Sequence, residues 1–316
     1  MKKVMLISGV AIAAILFTIS GCKKNDTATA PSVADETTLQ TNVSANAADQ
    51  TNVQNDDDAI ANDASRASDA VAPFDATTVS GGATSDSSTV AGAVIDKSPL
   101  KQGVKKFFIR YIGANGFGVT KSGKVTVELI NGSKWTDKGA VLKETLDSVQ
   151  INYNGKTRIY NGTRYVTNVS GGYMYTGILI NPNIYTVHAY GTVTFEDNST
   201  RTYWAARKNT FNKTTATFTS SGDTTVNGDT CTIGGTSRFN KPFLVKAPQT
   251  YVASFDCNYF RNPIAGVRTY VSDGRNVTIT FGVDVSGNQV TSGCAYGYNI
   301  TWTKLNGQSK TITIKY

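Results

Sequence analysis

Four cysteines and a single histidine are the side chains here most readily turned to covalent or proton-transfer chemistry: Cys22, Cys231, Cys257, Cys294 and His188. Cys22 stands apart, because it follows the small pair Ser20-Gly21 at the end of an apolar stretch. If two of the other three thiols join, one stays unpaired. A cysteine nucleophile would have only one imidazole to draw on. That imidazole lies in Tyr185-Thr186-Val187-His188-Ala189-Tyr190, which reads as a strand, where a surface-facing or hydrogen-bonded ring is its ordinary role. There is no HExxH, no set of paired His or Cys ligands and no Gly-x-Ser-x-Gly elbow. Zinc hydrolysis and a serine triad therefore lack their parts, and no catalytic residue, metal or cofactor is expected. Glycoside hydrolysis needs only two carboxylates. Glu128 and Glu144 are the acids best placed on strand faces, whereas Asp137, Asp197, Asp273 and Asp284 fall in turns. Aromatic side chains offer a third chemistry, since Tyr and Trp join an apolar face to a polar tip. Tyr173, Tyr175 and Trp204 are candidate stacking platforms for sugar rings, against the competing use of such residues in a core and in cross-strand pairs.

The segments that would position these residues divide the chain into three. Lys2 and Lys3 precede an apolar run from Val4 to Phe17, and Ile19-Ser20-Gly21-Cys22 closes it. The run is shorter than the roughly 20 residues of a membrane span, and its order is that of an export signal. The last four residues resemble a bacterial lipobox, in which the cysteine thiol receives diacylglycerol and becomes the new N-terminus. Residues 1–21 are accordingly read as a lipoprotein signal peptide and Cys22 as the lipidation site. Two or more acyl chains anchor a protein stably where one does not, so the expected first partner is membrane lipid. Lys23-Lys24-Asn25-Asp26 resembles the charged export signals of Bacteroidota surface lipoproteins. The expected location is the outer membrane, lipid-anchored, with the cell surface as its outward-facing form.

Charge separates the remainder. Residues 22–100 carry four basic and twelve acidic side chains, a net −8, and residues 101–316 carry 25 basic and 11 acidic, a net +14; with Lys2 and Lys3 the sum is the chain's +8. Between 23 and 100 Phe74 is the only aromatic. A stretch so poor in large apolar groups offsets little chain entropy, which predicts a disordered Asp/Ala/Thr/Asn-rich tether over 22–100, with at most a marginal helix near Ala59–Ala72. A basic block can attract anionic glycans or lipopolysaccharide, against the ordinary reading of Lys and Arg scattered on solvated strand faces; an anionic glycan or an outer-membrane protein is the partner expected of this domain. Nucleic acid is not an expected partner.

From 101 to 316 the pattern is that of a single all-β domain. Runs such as Lys124–Ile130, Val149–Tyr153, Thr186–Phe195, Arg201–Ala206, Asn276–Phe281 and Ser309–Lys315 are β-rich, and several alternate apolar with polar residues. Asn-Gly pairs at 115, 131, 154, 161, 227 and 306 supply turn chemistry between them. Twelve or more antiparallel strands are predicted, as a sandwich or an extended meander.

Ser122-Gly123-Lys124-Val125-Thr126-Val127, Trp135-Thr136-Asp137-Lys138-Gly139, Tyr153-Asn154-Gly155 and Gly162–Asn168 together resemble a group of uncharacterised Bacteroidota lipoproteins. So do Asp256-Cys257, Pro263–Gly266, Phe281-Gly282, Gly293-Cys294 and Asn306-Gly307. The resemblance covers roughly Val119 to Tyr316. It implies a bridge between Cys257 and Cys294 and leaves Cys231 as a free thiol. It carries no activity with it. The expectation is a non-enzymatic, membrane-anchored envelope or surface lipoprotein for binding, adhesion or structure, with a glycan-binding accessory lipoprotein as the alternative and a carbohydrate-active hydrolase as a third.

Overall fold

The computed structural model describes residues 33–71, 74, 85–86, 89–114, 119–153, 155–174, 181–258, 262–272, 275–304 and 307–316. The segment predicted as a signal peptide and Cys22 lie outside them. Among the described residues there are two helices and sixteen strands. A long helix α1 (Val33–Ala70) comes first, then β1 (Ser85–Asp86), β2 (Ala93–Asp96) and one turn of helix α2 (Ser98–Lys101). Next follow β3 (Lys106–Ala114), β4 (Val119–Asn131), β5 (Ala140–Tyr153), β6 (Lys156–Asn168), β7 (Asn183–Phe195) and β8 (Thr200–Asn212). The remainder is β9 (Thr217–Gly222), β10 (Thr224–Val226), β11 (Asp229–Thr236), β12 (Pro242–Ser254), β13 (Pro263–Ser272), β14 (Arg275–Val283), β15 (Gly297–Thr303) and β16 (Ser309–Lys315).

All strands belong to one antiparallel sheet, a meander from β1 to β8 that resumes through β11 to β16. Of the two predicted arrangements, the meander is the one formed. β8 meets β11 over Thr202–Ala205 and β9 over Arg207–Asn212, so these two short strands share its free edge end to end. β10 folds back on β11, pairing Thr224 with Cys231. Not every Asn-Gly pair is a turn. Asn227-Gly228 is one, both residues at positive φ, but Asn161-Gly162 runs through the middle of β6. There the Asn161 carboxamide oxygen accepts from Ser148 N at 2.8 Å and holds the bulge in β5. A Cβ on Gly162 would stand 2.4 Å from the Tyr190 carbonyl oxygen, so the glycine is required by close strand approach.

The region expected as tether differs most from expectation. From Val33 to Ala70 it is helix, and its later side chains are built into the core. Val53, Ile60, Ala64, Ala67 and Val71 recur at three- to seven-residue intervals and are buried on one face, the spacing of an amphipathic stripe. Asp49 and Asp56 lie on the same stripe and Asp57 beside it, all buried. Side chains of α1 contact Tyr111 on β3, Lys121 on β4, Arg158, Tyr160 and Arg164 on β6, Arg207 on β8 and Arg238 after β11. Contacts spread over so many strands require the sheet to curl around the helix. Residues 93–101 are also ordered, with β2 paired to β3. The folded unit therefore begins well before residue 101. No helix among the described residues is long and apolar enough to cross a membrane.

Inward positions on β6 and β8 carry the partners of the acidic helix. Arg158 and Arg164 are six residues apart, as are Arg201 and Arg207, and an even spacing puts each pair on one face. Arg164 lies between Asp57 at 3.0 Å and Glu144 at 3.3 Å, and Arg207 bridges Asp57 at 2.6 Å and Asp58 at 2.7 Å. Asp56 accepts from Arg158 at 2.5 Å and from the Tyr160 hydroxyl at 2.6 Å. Lys121 reaches Asp63 at 2.5 Å. Removing charges from water is costly unless each is paired and hydrogen-bonded, and here helix and sheet supply opposite signs. Buried Arg201 is different in kind, donating to the Gln50 side-chain oxygen and lying 4.1 Å from the Phe243 ring centroid.

Candidate functional site

The face of the sheet turned away from α1 is polar. Thr126, Thr145 and Thr163 stand in register across β4, β5 and β6, and the same row continues through Tyr190 on β7 and Trp204 on β8 to Gly234 on β11. The neighbouring row runs Glu128, Lys143, Tyr165, His188 and Ala206. Where the two rows cross β6 to β8, the surface sinks into an open groove of about 320 Å³. Tyr165, His188, Tyr190 and Trp204 line it, and Thr224 and Val226 of β10 form a wall.

Each element has a definite part in this groove. The alternation of β7 turns Val187, Ala189 and Val193 inward and His188 and Tyr190 outward. Tyr190 is 54 % exposed. Its ring centroid lies 6.3 Å from that of Tyr165 with the planes tilted by 38°, within the range of favourable aromatic pairs. The neighbouring Tyr190 hydroxyl holds Tyr165 above the ordinary tyrosine pKa. Trp204 lies across Gly234, where a Cβ would come within 2.5 Å of the indole ring. Glycine thus clears the seat on which the indole rests. Asp223, whose N–H donates to the Ala206 carbonyl at 3.0 Å, accepts a 2.9 Å hydrogen bond with His188 Nε2. The histidine is thereby fixed at the edge of the groove.

Of the predicted stacking residues, Trp204 is in this groove. Tyr173 is not: its carbonyl accepts from Asn183 at the start of β7, and seven residues of strand separate Asn183 from Tyr190, about 23 Å at roughly 3.3 Å per residue. Tyr175 lies outside the described residues. The three therefore do not make one platform; Tyr165 and Tyr190 take the places beside Trp204. The alternation of β6 and β7 turns both outward, but only the strand register brings them together with the indole.

The carboxylate pair fails as a pair. Glu128 is opposite Lys143 on the outer face, whereas Glu144, one position along β5, is opposite Val127 and fully buried. They are on opposite sides of the sheet, and no sugar could lie between them. Burial pushes the Glu144 carboxyl up to about 7, against the opposing pull of Arg164. Its Oε2 stands 3.3 Å from Arg164 Nη1 without hydrogen-bond geometry. Cys257 and Cys294 are joined in a disulfide, and Cys231 is a free, buried cysteine. A second hollow of about 360 Å³ lies at the β3–β4 end, lined by Tyr111, Ile112 and Lys121, but its lysine is already committed to Asp63.

No family model, no curated protein and no solved structure matches this chain.

Proposed function

We propose that this chain is a non-enzymatic envelope lipoprotein, anchored in the outer membrane through acylated Cys22, whose outer sheet face binds saccharide. The observation that carries the reading is the groove of Tyr165, Tyr190 and Trp204 beside the His188–Asp223 pair. Sugar rings have apolar C–H faces and hydroxyl edges. Exposed aromatic faces take the former, and an imidazole–carboxylate pair with nearby threonines takes the latter. The sheet presents these groups on rigid strands, so little ordering is needed on binding. The separation of Glu128 from Glu144 supports binding rather than hydrolysis by that pair. The lipobox-like run ending at Cys22 and the likeness to Bacteroidota lipoproteins support the anchor and its location.

The test is affinity electrophoresis of the chain through gels containing single polysaccharides, beside a Tyr190→Ala variant. Retardation of the parent chain, lost in the variant, is the expected result. Parent and variant migrating alike through every polysaccharide would refute the site. Incorporation of labelled palmitate, abolished in Cys22→Ala, is the corresponding test of the anchor.

A further inference from the structure

Resting on the saccharide reading, we infer that the groove selects acidic sugars, with the ligand carboxylate directed toward β5. The outward row through the groove is polarised. Lys143 is directly across from Tyr165, Tyr165 from His188, and His188 from Ala206, beside which Asp223 stands. Asp223 is therefore at the β8 end of the groove, engaged by His188, and Lys143 stands one strand beyond the Tyr165 end, outside the lining itself. Three strand spacings separate Lys143 from Ala206, about 14 Å at roughly 4.8 Å each. That length accommodates two or three sugar rings.

Lys143 is half-buried, and no ion pair within 4 Å joins it to an acid among the described residues. Its neighbour on the far side is Glu128, which is in turn opposite Lys106. The run Lys106, Glu128, Lys143 thus keeps a net positive charge where it meets Tyr165. Lys208, exposed, lies two positions beyond Ala206 on β8, at the Asp223 end, and does not add to the positive charge beside Tyr165. A ring stacked on Tyr165 would bring a C5 carboxylate next to the Lys143 ammonium. The neutral hydroxymethyl analogue would gain only a hydrogen bond there. Half-burial lowers the screening of that contact relative to an open surface pair.

The experiment is calorimetric titration of the full chain with trigalacturonate and with galactotriose, which differ only in carboxylate against hydroxymethyl. The expected result is tighter binding of trigalacturonate by about three- to fivefold, the scale of one exposed to half-exposed ion pair, weakening as salt is raised. Lys143→Gln is expected to bring the two ligands level. Equal affinities in the parent chain, or a preference that survives Lys143→Gln, would overturn the inference while leaving the saccharide site standing. If neither ligand binds, or Tyr190→Ala leaves both affinities unchanged, the underlying reading fails with it.

Discussion

Gly234 has no side chain because the Trp204 indole occupies the space that one would need. Gly234→Ala is therefore expected to lift the ring from its seat and weaken saccharide binding by about tenfold, or ~1.4 kcal/mol. Titration of the variant, with its far-ultraviolet circular dichroism unchanged, checks this. Glu144 makes a different prediction. Buried in the fold it holds its proton up to about pH 7, whereas the ordinary carboxyl releases it near 4.5. Between those values the folded state binds more protons than the unfolded state, so stability falls as pH rises through that window. Glu144→Gln removes the titrating group, and the decline in Tm between pH 5 and pH 8 should be shallower in the variant by calorimetry. An unchanged slope would mean that Glu144 is ionised throughout.

Helix α1 shows where the sequence could be read and where it could not. The strands announced themselves by alternation: Lys124–Ile130 and Thr186–Phe195 fall inside β4 and β7. Of the helix the sequence offered only a marginal stretch near Ala59–Ala72, whose residues 59–70 fall inside α1; the rest gave no such sign, because its buried stripe mixes Val53 and Ile60 with Asp49 and Asp56. Hydrophobicity averaged over that face looks like solvated chain. Opposite block charges, −8 and +14, were visible from the start, but their meaning was not. In part they are an acidic helix and the buried cations that face it, Lys121, Arg158, Arg164 and Arg207; most other Lys and Arg of the sheet are not buried. The groove was legible only in part for a related reason. Trp204 stands out by type, whereas Tyr165 and Tyr190 become its neighbours only through registers that join three strands. If the pairing is structural, Asp57→Ala strands Arg164 and Arg207 without their shared carboxylate and should cost about 3–5 kcal/mol. Urea unfolding measures it, with exposed Asn62→Ala as the control, expected within about 0.5 kcal/mol of the parent. Equal midpoints for the two would return α1 to the status of a tether.

At the scale of the molecule, one curled sheet is fastened from both ends of the sequence. The N-terminal helix fills its interior, and the disulfide ties Cys257 to Cys294 across 37 residues. A loop of that length is worth about 4 kcal/mol by chain entropy, and Cys257→Ser/Cys294→Ser should lose about that much in urea. Such a body leaves the threonine-rich outer face and its aromatic groove open to a ligand. The three tryptophans make this directly measurable. Trp135 and Trp302 are buried at 0 % and 2 % exposure, and Trp204 alone borders the groove. Titrating the chain with trigalacturonate while following tryptophan emission reports on that one ring. The account predicts a saturable change in emission, with reduced quenching by acrylamide at saturation, and neither effect in Trp204→Phe. Saturable calorimetric binding with no change in Trp204 emission, or an emission change that persists in Trp204→Phe, would contradict it.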